Sequence, residues 1–232
     1  TLAMKGGSYI YYFENFVDET HLTNFISPIL DFLSFVGINF FGNDPISAGF
    51  GLFNAGGIIF MIFGIGLSKS LADKYGKRNV FGFFLFISTL FIIFFNFLDK
   101  SNVQLMFAAQ ILHGFFYGIT IPLLWAMIAD VADYSEWKNN RRATAIIFSA
   151  MMVGLKLGLT IGSSLVAKIL GVYGYIPGSE NIQTELAIQG TKMLISIYPA
   201  IPFLIGVSLL FFYEINKKME LQIESDLKAR RN

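Results

Sequence analysis

No charged side chain interrupts the run from Val80 to Leu98, "VFGFFLFISTLFIIFFNFL". A helix needs about 20 apolar residues to cross the ~30 Å hydrocarbon core of a bilayer, so this run has the length of a membrane crossing and far exceeds that of a buried strand. Similar runs recur along the chain. With 54% hydrophobic and 14% charged residues among 232, the apolar surface is more than one soluble core can hide, and the bilayer is the expected solvent. The formal net charge of +1 supplies no basic face able to track phosphates, which excludes a nucleic-acid partner. The absence of cysteine excludes disulfides, thiolate metal sites and a catalytic thiol.

Charges cluster between the apolar runs and bracket them. One partial span is expected over residues 1–17, ending on "SYIYYF" (Ser8 to Phe13), and five full spans over 47–68, 80–98, 104–129, 143–171 and 191–213. Residues 1–213 thus read as a transmembrane bundle and 214–232 as a polar tail. Because Thr1 is not an initiator Met and no leader precedes the first helix, the chain reads as starting inside a longer protein. The connection 18–46 has an apolar middle, "FISPILDFLSFVGINFF", but Pro28 and Asp31 make it a poor crossing, and an interfacial or lid-like segment is expected. In the tail, Met219, Ile223 and Leu227 recur every four residues, which predicts either a short amphipathic helix on the inner membrane surface or a solvated helical end.

Lysine and arginine accumulate in alternate loops: Lys69, Lys74, Lys77 and Arg78; then Lys138, Arg141 and Arg142; then Lys217, Lys218, Lys228, Arg230 and Arg231. The intervening loops hold Lys100, and Lys192 stands at a span edge. Cytoplasmic loops retain basic residues, so these loops and the C-terminus are expected in the cytoplasm, and the membrane is expected to be the plasma (inner) membrane.

Several residues within the spans can carry chemistry. Lys156 lies near the middle of "IIFSAMMVGLKLGLTIGSSLVAKIL", where an ammonium must reach water or a counter-charge. At about 100° per residue, Ser149, Lys156, Thr160 and Ser163 share one face, while Gly154, Gly158 and Gly162 share roughly the opposite one. The Gly face is expected to pack on another helix, leaving the Lys face for an aqueous cavity or for pairing with a carboxylate that fixes packing. Lys168, nearer the helix end, reads as a snorkelling side chain. In the preceding span, Gln110, His113, Tyr117 and Trp125 fall in a narrow arc. Such a stripe suits a sugar, with Trp and Tyr stacking on the pyranose and Gln and His bonding its hydroxyls, or else a buried inter-helix network. Pro122, Pro199 and Pro202 are expected to bend their helices.

Two basic loops also carry acids. "LSKSLADKYGKR" can set Asp73 against Arg78 or at a helix N-terminus, with Gly76 making the turn. "IADVADYSEWKNNRR" spaces Asp130, Asp133 and Glu136 three apart, opposite Lys138, Arg141 and Arg142. Both loops read either as contacts that break when helices rock or as ordinary positive-inside charge with weak ion pairs.

The stretch from Trp125 to Gly158, "WAMIADVADYSEWKNNRRATAIIFSAMMVGLKLG", resembles the hallmark region of the glycoside-pentoside-hexuronide:cation symporters, a melibiose permease-like family of the major facilitator superfamily. "LADKYGKR" resembles the superfamily's loop signature, with Lys69 where Gly usually opens that loop, and "GGSYIYYF" resembles the end of the family's seventh helix. The resemblance implies an all-α, polytopic membrane bundle, the C-terminal six-helix half of the superfamily fold. It implies sugar:cation symport by alternating access, with Lys156 near the sugar and cation sites and with Asp130, Asp133, Glu136, Arg141 and Arg142 in the cytoplasmic gate. The coupling cation, Na⁺ or H⁺, would be bound mainly by the missing N-terminal half, the chain's further partner beside sugar and lipid. No catalytic residue, metal ligand or cofactor is expected. Two other classes compete. "DVAD" at a helix end can hold Mg²⁺ for a membrane prenyl- or phospho-transferase, and the fold can serve a non-transporting receptor or scaffold.

Overall fold

Hydrocarbon cannot hydrogen-bond a peptide group, so a chain this apolar is restricted to helices that satisfy their own backbone. The computed structural model describes residues 1–38, 44–178 and 183–231, and all regular structure among them is helical. In chain order the helices are α1 (Leu2–Asn15), α2 (Glu19–Phe35), α3 (Pro45–Tyr75), α4 (Lys77–Phe94), α5 (Val103–Asn139), α6 (Thr144–Val172), α7 (Glu185–Ile195), α8 (Ile197–Leu209) and α9 (Lys217–Arg231). Five segments among the described residues are long and apolar enough to cross a membrane: α3, α4 with its 3₁₀ extension to Phe97, α5, α6, and α7 and α8 taken together through Phe212. They coincide with the five full spans expected from the sequence, and α1 occupies the partial one.

Local chemistry sets the breaks. The Asp44 carboxylate accepts from Ser47 N at 2.8 Å to cap α3, with Pro45 in its first turn, and Thr184 caps α7 through Ala187 N; both supply an acceptor to an otherwise orphaned N–H. Gly76, at φ 85°, separates α3 from α4, a conformation open to glycine at no steric cost. The last span breaks at Ser196, whose hydroxyl bonds the Lys192 carbonyl at 2.6 Å. Pro199, three residues on, has no N–H and its ring excludes the Ile195 carbonyl, so the ladder fails there. Pro122, by contrast, is accommodated inside a continuous α5.

Helix α5 has 37 residues, about 55 Å at ~1.5 Å per residue, so its C-terminal end, from Asp130 onward, projects past a ~30 Å hydrocarbon core. Tail, loops and helix ends meet there: Lys217 Nζ donates to the Asp73 carbonyl at 2.5 Å, and Arg230 bonds the Trp137 carbonyl at 3.1 Å. All three basic clusters therefore gather at one end of the bundle. The tail helix α9 differs from the expectation of a membrane-surface or solvated helix. Ile223 and Leu227 are buried, with Ile215, against Val131, Tyr134 and Trp137, so the apolar stripe covers the projecting end of α5.

At the opposite end, Asp18 N–H donates to the Lys100 carbonyl at 3.0 Å, and the Asp18 side chain caps α2 through His21 N. The His21 contacts hold the Asp18 carboxyl below the usual carboxylate range. Leu22 and Ile26 anchor α2 to the core, while Phe32 and Phe35 remain exposed. Asn39 to Phe41, the end of the apolar connection, lie outside the described residues.

An aromatic core joins α1, α3 and α5. Phe53 meets Tyr9, Phe13 and Phe107 edge-to-face at centroid distances of 4.9, 5.1 and 5.4 Å, the arrangement favoured by ring quadrupoles. Below it, α3 and α5 touch backbone to backbone. A Cβ added at Gly64 would collide with the Phe115 carbonyl, one at Gly114 with the Gly57 carbonyl, and one at Gly118 with that of Met61. This is small-residue packing of the kind expected where lipid gives helices no hydrophobic reason to associate. The stripe expected to play this part, Gly154, Gly158 and Gly162, behaves differently. Gly162 alone approaches a neighbour, Ala3, and the other two meet nothing within 4 Å among the described residues.

Gly114→Ala and Gly118→Ala should each destabilise the detergent-solubilised protein by about 1–3 kcal/mol through overpacking. Gly154→Ala should leave thermal unfolding unchanged or raise its midpoint, because alanine is the better helix former.

Candidate functional site

A cavity of about 500 Å³ opens in the bundle between α1, α3 and α5 and is bordered by Leu155 of α6 and Phe203 of α8. Helical spacing produces its polar wall. Lys5 and Tyr9 are four residues apart on α1, and Gln110, His113, Tyr117 and Trp125 follow one face of α5, so each set points the same way. All six line the cavity, with Asn54 of α3.

Gln110 is the hub. Its Oε1 accepts from the Tyr9 hydroxyl at 2.6 Å and from Lys5 Nζ at 3.3 Å. The amide lies over Gly57, where a Cβ would strike Gln110 Nε2, so a bare backbone gives the side chain its place. His113 Nδ1 is 3.0 Å from the Ser88 carbonyl oxygen. A carbonyl only accepts, so Nδ1 carries a proton, and in the neutral form of the ring Nε2 is then the acceptor. The His113 ring stacks on Tyr117, with centroids 5.9 Å apart, and Tyr117 stacks on Phe203 at 5.7 Å. Trp125, 37% exposed, stands at the rim. The wall thus offers flat aromatic faces beside hydrogen-bonding groups, the combination that binds a molecule with one apolar face and a rim of hydroxyls.

The structure thereby brings together Gln110, His113, Tyr117 and Trp125, and it does not bring Lys156 or Thr160 to the same cavity. One step round the helix from Leu155, Lys156 falls on the exposed face of α6, and the Thr160 hydroxyl bonds the Lys156 carbonyl at 3.0 Å. Lys5, Tyr9 and Asn54 were not read from the sequence as site residues. The i, i+4 spacing of Lys5 and Tyr9 in an otherwise apolar segment was the available signal.

A second group of polar residues occupies the basic end. Lys77, opening α4, sits between Asp130 at 2.7 Å and Glu220 of α9 at 2.9 Å. Arg142 reaches Asp133 at 3.1 Å and Glu136 at 3.6 Å, and the Arg141 carbonyl accepts from Ser135 Oγ at 2.9 Å. Trp137 Nε1 donates to Asp226 at 2.7 Å. Burial, with Asp130 and Glu220 beside it, pushes the Tyr213 phenol above its usual range. The expected contact of Asp73 with Arg78 is replaced. The Gly76 break aims Arg78 at the Phe211 carbonyl, 3.5 Å away, and the Asp73 backbone carbonyl takes Lys217. Both carboxylates of "DVAD" are held by cations of the chain itself, Lys77 and Arg142.

The family described as MFS/sugar transport protein matches residues 4–217. An uncharacterized 29.9 kDa protein in the crtE 3' region of Pseudescherichia vulneris is 31% identical over 157 residues, 68% of this chain and 57% of that protein. The uncharacterized symporter YjmB of Bacillus subtilis is 31% identical over 169 residues, 71% of this chain and 35% of the relative. The putative glycoside/cation symporter YagG of Escherichia coli is 29% identical over 145 residues, 62% and 31% of the two chains. The alignments cover between about a third and somewhat over half of these relatives' length.

Glu220→Gln, which removes the ion pair joining Lys77 of α4 to α9, should loosen α9 and speed tryptic cleavage of the tail severalfold. Arg142→Gln removes two partly exposed pairs, to Asp133 and Glu136, each worth about 0–1 kcal/mol, and should leave that rate near wild type.

Proposed function

We propose that this chain, which belongs to the MFS/sugar transport protein family, is the C-terminal half of a secondary transporter that carries a sugar together with a cation by alternating access. The observation that carries the reading is the cavity in the side of a membrane-crossing bundle, with aromatic faces and a Gln–His polar wall in place of a uniformly apolar lining. The name of the relative YagG, a putative glycoside/cation symporter, supports the same class of substrate. Family membership sets the transferase alternative aside.

In this reading Gln110 and His113 bond sugar hydroxyls, and Tyr117 and Trp125 stack on the ring. No carboxylate lines the cavity among the described residues, so the ligands of the coupling Na⁺ or H⁺ come mainly from the N-terminal half. Lys156 and Thr160, uncovered in the middle of α6, face the aqueous passage between the two halves, since lipid would not tolerate the ammonium. The positive-inside rule supports reading the basic end and the C-terminus as cytoplasmic, in a plasma (inner) membrane. Pairs made there by Asp130, Asp133, Glu136 and Arg142, with Asp73 and Arg78 at the adjoining ends of α3 and α4 and Arg141 between α5 and α6, form the inner gate that opens as the halves rock.

The test is sugar-driven cation uptake by the full-length protein in proteoliposomes, with a panel of glycosides, pentosides and hexuronides. Gln110→Leu and Trp125→Ala should each lower sugar uptake about tenfold or more, the equivalent of ~1.4 kcal/mol of lost binding. Lys156→Ala should impair uptake with expression intact. A wild-type protein that moves no cation with any of these sugars would favour the receptor or scaffold reading.

A further inference from the structure

An amide can bond a ligand through its oxygen or through its nitrogen, and the two ends recognise opposite partners. At Gln110 the neighbours on α1 make the choice. Lys5 Nζ lies 3.3 Å from Gln110 Oε1, and an ammonium has donors only, so the end of the amide turned toward it is the oxygen. The Tyr9 hydroxyl, 2.6 Å from the same atom, donates to an oxygen so placed. Oε1 thus holds two bonds, which fill its two lone pairs. Both donors are confined. Lys5 and Tyr9 are each 3% exposed, Tyr9 meets Phe53 edge-to-face at 4.9 Å, and Lys5 Nζ lies 5.3 and 5.7 Å from the ring centroids of Tyr9 and Phe95. Turning the amide over would set its NH₂ against the ammonium, two donors facing in a dry site, and leave both unpaired. The other end of the amide, Nε2, lies over Gly57 of α3, where a Cβ would come within 2.8 Å of it. Gly57 and Gln110 both line the cavity, so the bare backbone at 57 leaves that nitrogen as the end the wall offers.

We propose that Gln110 meets the ligand as a hydrogen-bond donor only, and that Lys5 is the positioning residue that fixes this polarity. At one ring position the cavity then selects a ligand oxygen for its power to accept. Tyr9 adds to the hold without setting its direction, because a hydroxyl could equally accept from a reversed amide. The inference rests on the cavity being the sugar site proposed above.

Replacing a sugar hydroxyl by fluorine leaves an acceptor without a donor, and replacing it by hydrogen leaves neither. Calorimetric titration of the purified full-length protein with methyl β-galactoside, β-glucoside, β-xyloside and β-glucuronide, and with the deoxy and deoxyfluoro forms of each at C2, C3 and C4, therefore reads the polarity of the wall. At one ring position wild type should bind the fluoro form about threefold or more tightly than the deoxy form. Lys5→Met frees the amide to turn and should bring that ratio close to one, whereas Tyr9→Phe, with Lys5 still facing Oε1, should keep it. Gln110→Glu puts acceptors where the N–H stood and should invert it, the deoxy form now binding more tightly. A merely structural role for Lys5 would weaken all three forms alike and leave the ratio unmoved. A preference that survives Lys5→Met, or that Gln110→Glu does not abolish, overturns the proposal. If Lys5→Met does not fold, Lys5→Gln, whose amide accepts as well as donates, takes its place, and should neither fold, Gln110→Glu decides. Binding of the parent glycosides with no fluorine preference at any position refutes this inference alone, whereas a wild type that binds none of the parents refutes the sugar reading and this inference with it.

Discussion

A bilayer interior offers a peptide group or an ammonium nothing to bond with, and each feature of this chain answers to that constraint. The backbone answers by being helical wherever it crosses. Polar side chains answer by turning toward one another or toward the cavity: the hydroxyls of Ser8, Ser88 and Thr89 bond carbonyls of their own helices. Association of the helices cannot come from hiding apolar surface, because lipid is as apolar as leucine. It comes from close approach, seen where the backbones of α3 and α5 meet at Gly57, Gly64, Gly114 and Gly118, and from the interlocked rings around Phe53.

The same close packing creates the cavity. With α3 drawn against α5, the Gln110 amide lies over Gly57 and is fixed where Tyr9 and Lys5 of α1 can reach it. His113 is held from behind by the Ser88 carbonyl of α4. Three helices thus hold the polar wall before any ligand arrives, and preorganisation of this kind lowers the ordering cost of binding. The basic end follows another logic. Its groups stand beyond the hydrocarbon, where water screens charge, so the Lys77–Asp130–Glu220 cluster acts by joining α4, α5 and α9 more than by the strength of any one pair.

The crossings were legible in the sequence because charge brackets them, and a charge inside hydrocarbon is costly enough to keep those brackets sharp. The stripe on α5 was legible because one helix carries all four of its residues. The polar wall's other side was not. Lys5 stands at the edge of a segment too short to be read as a full crossing, and its meeting with Gln110 spans 105 positions, a separation no local pattern reports. Gly154, Gly158 and Gly162 showed a small-residue repeat as plainly as Gly114 and Gly118 did, yet a repeat shows only that a helix can be approached, not which neighbour approaches it. For α9, the period of Met219, Ile223 and Leu227 predicted an apolar face and could not distinguish lipid from the end of α5 as what covers it.

Transport of the proposed kind requires an aqueous, ligand-sized cavity inside a lipid-facing bundle. This chain contains no cysteine, so each single substitution adds one thiol to it, and labelling above that of the unsubstituted protein reports whether water reaches the position. In intact membranes, Tyr117→Cys and Asn54→Cys, at the cavity wall, should react with a water-soluble thiol reagent, and Phe63→Cys, exposed on the face of α3 opposite Asn54, should not. Rapid labelling at position 63 with silence at 54 and 117 would contradict the account.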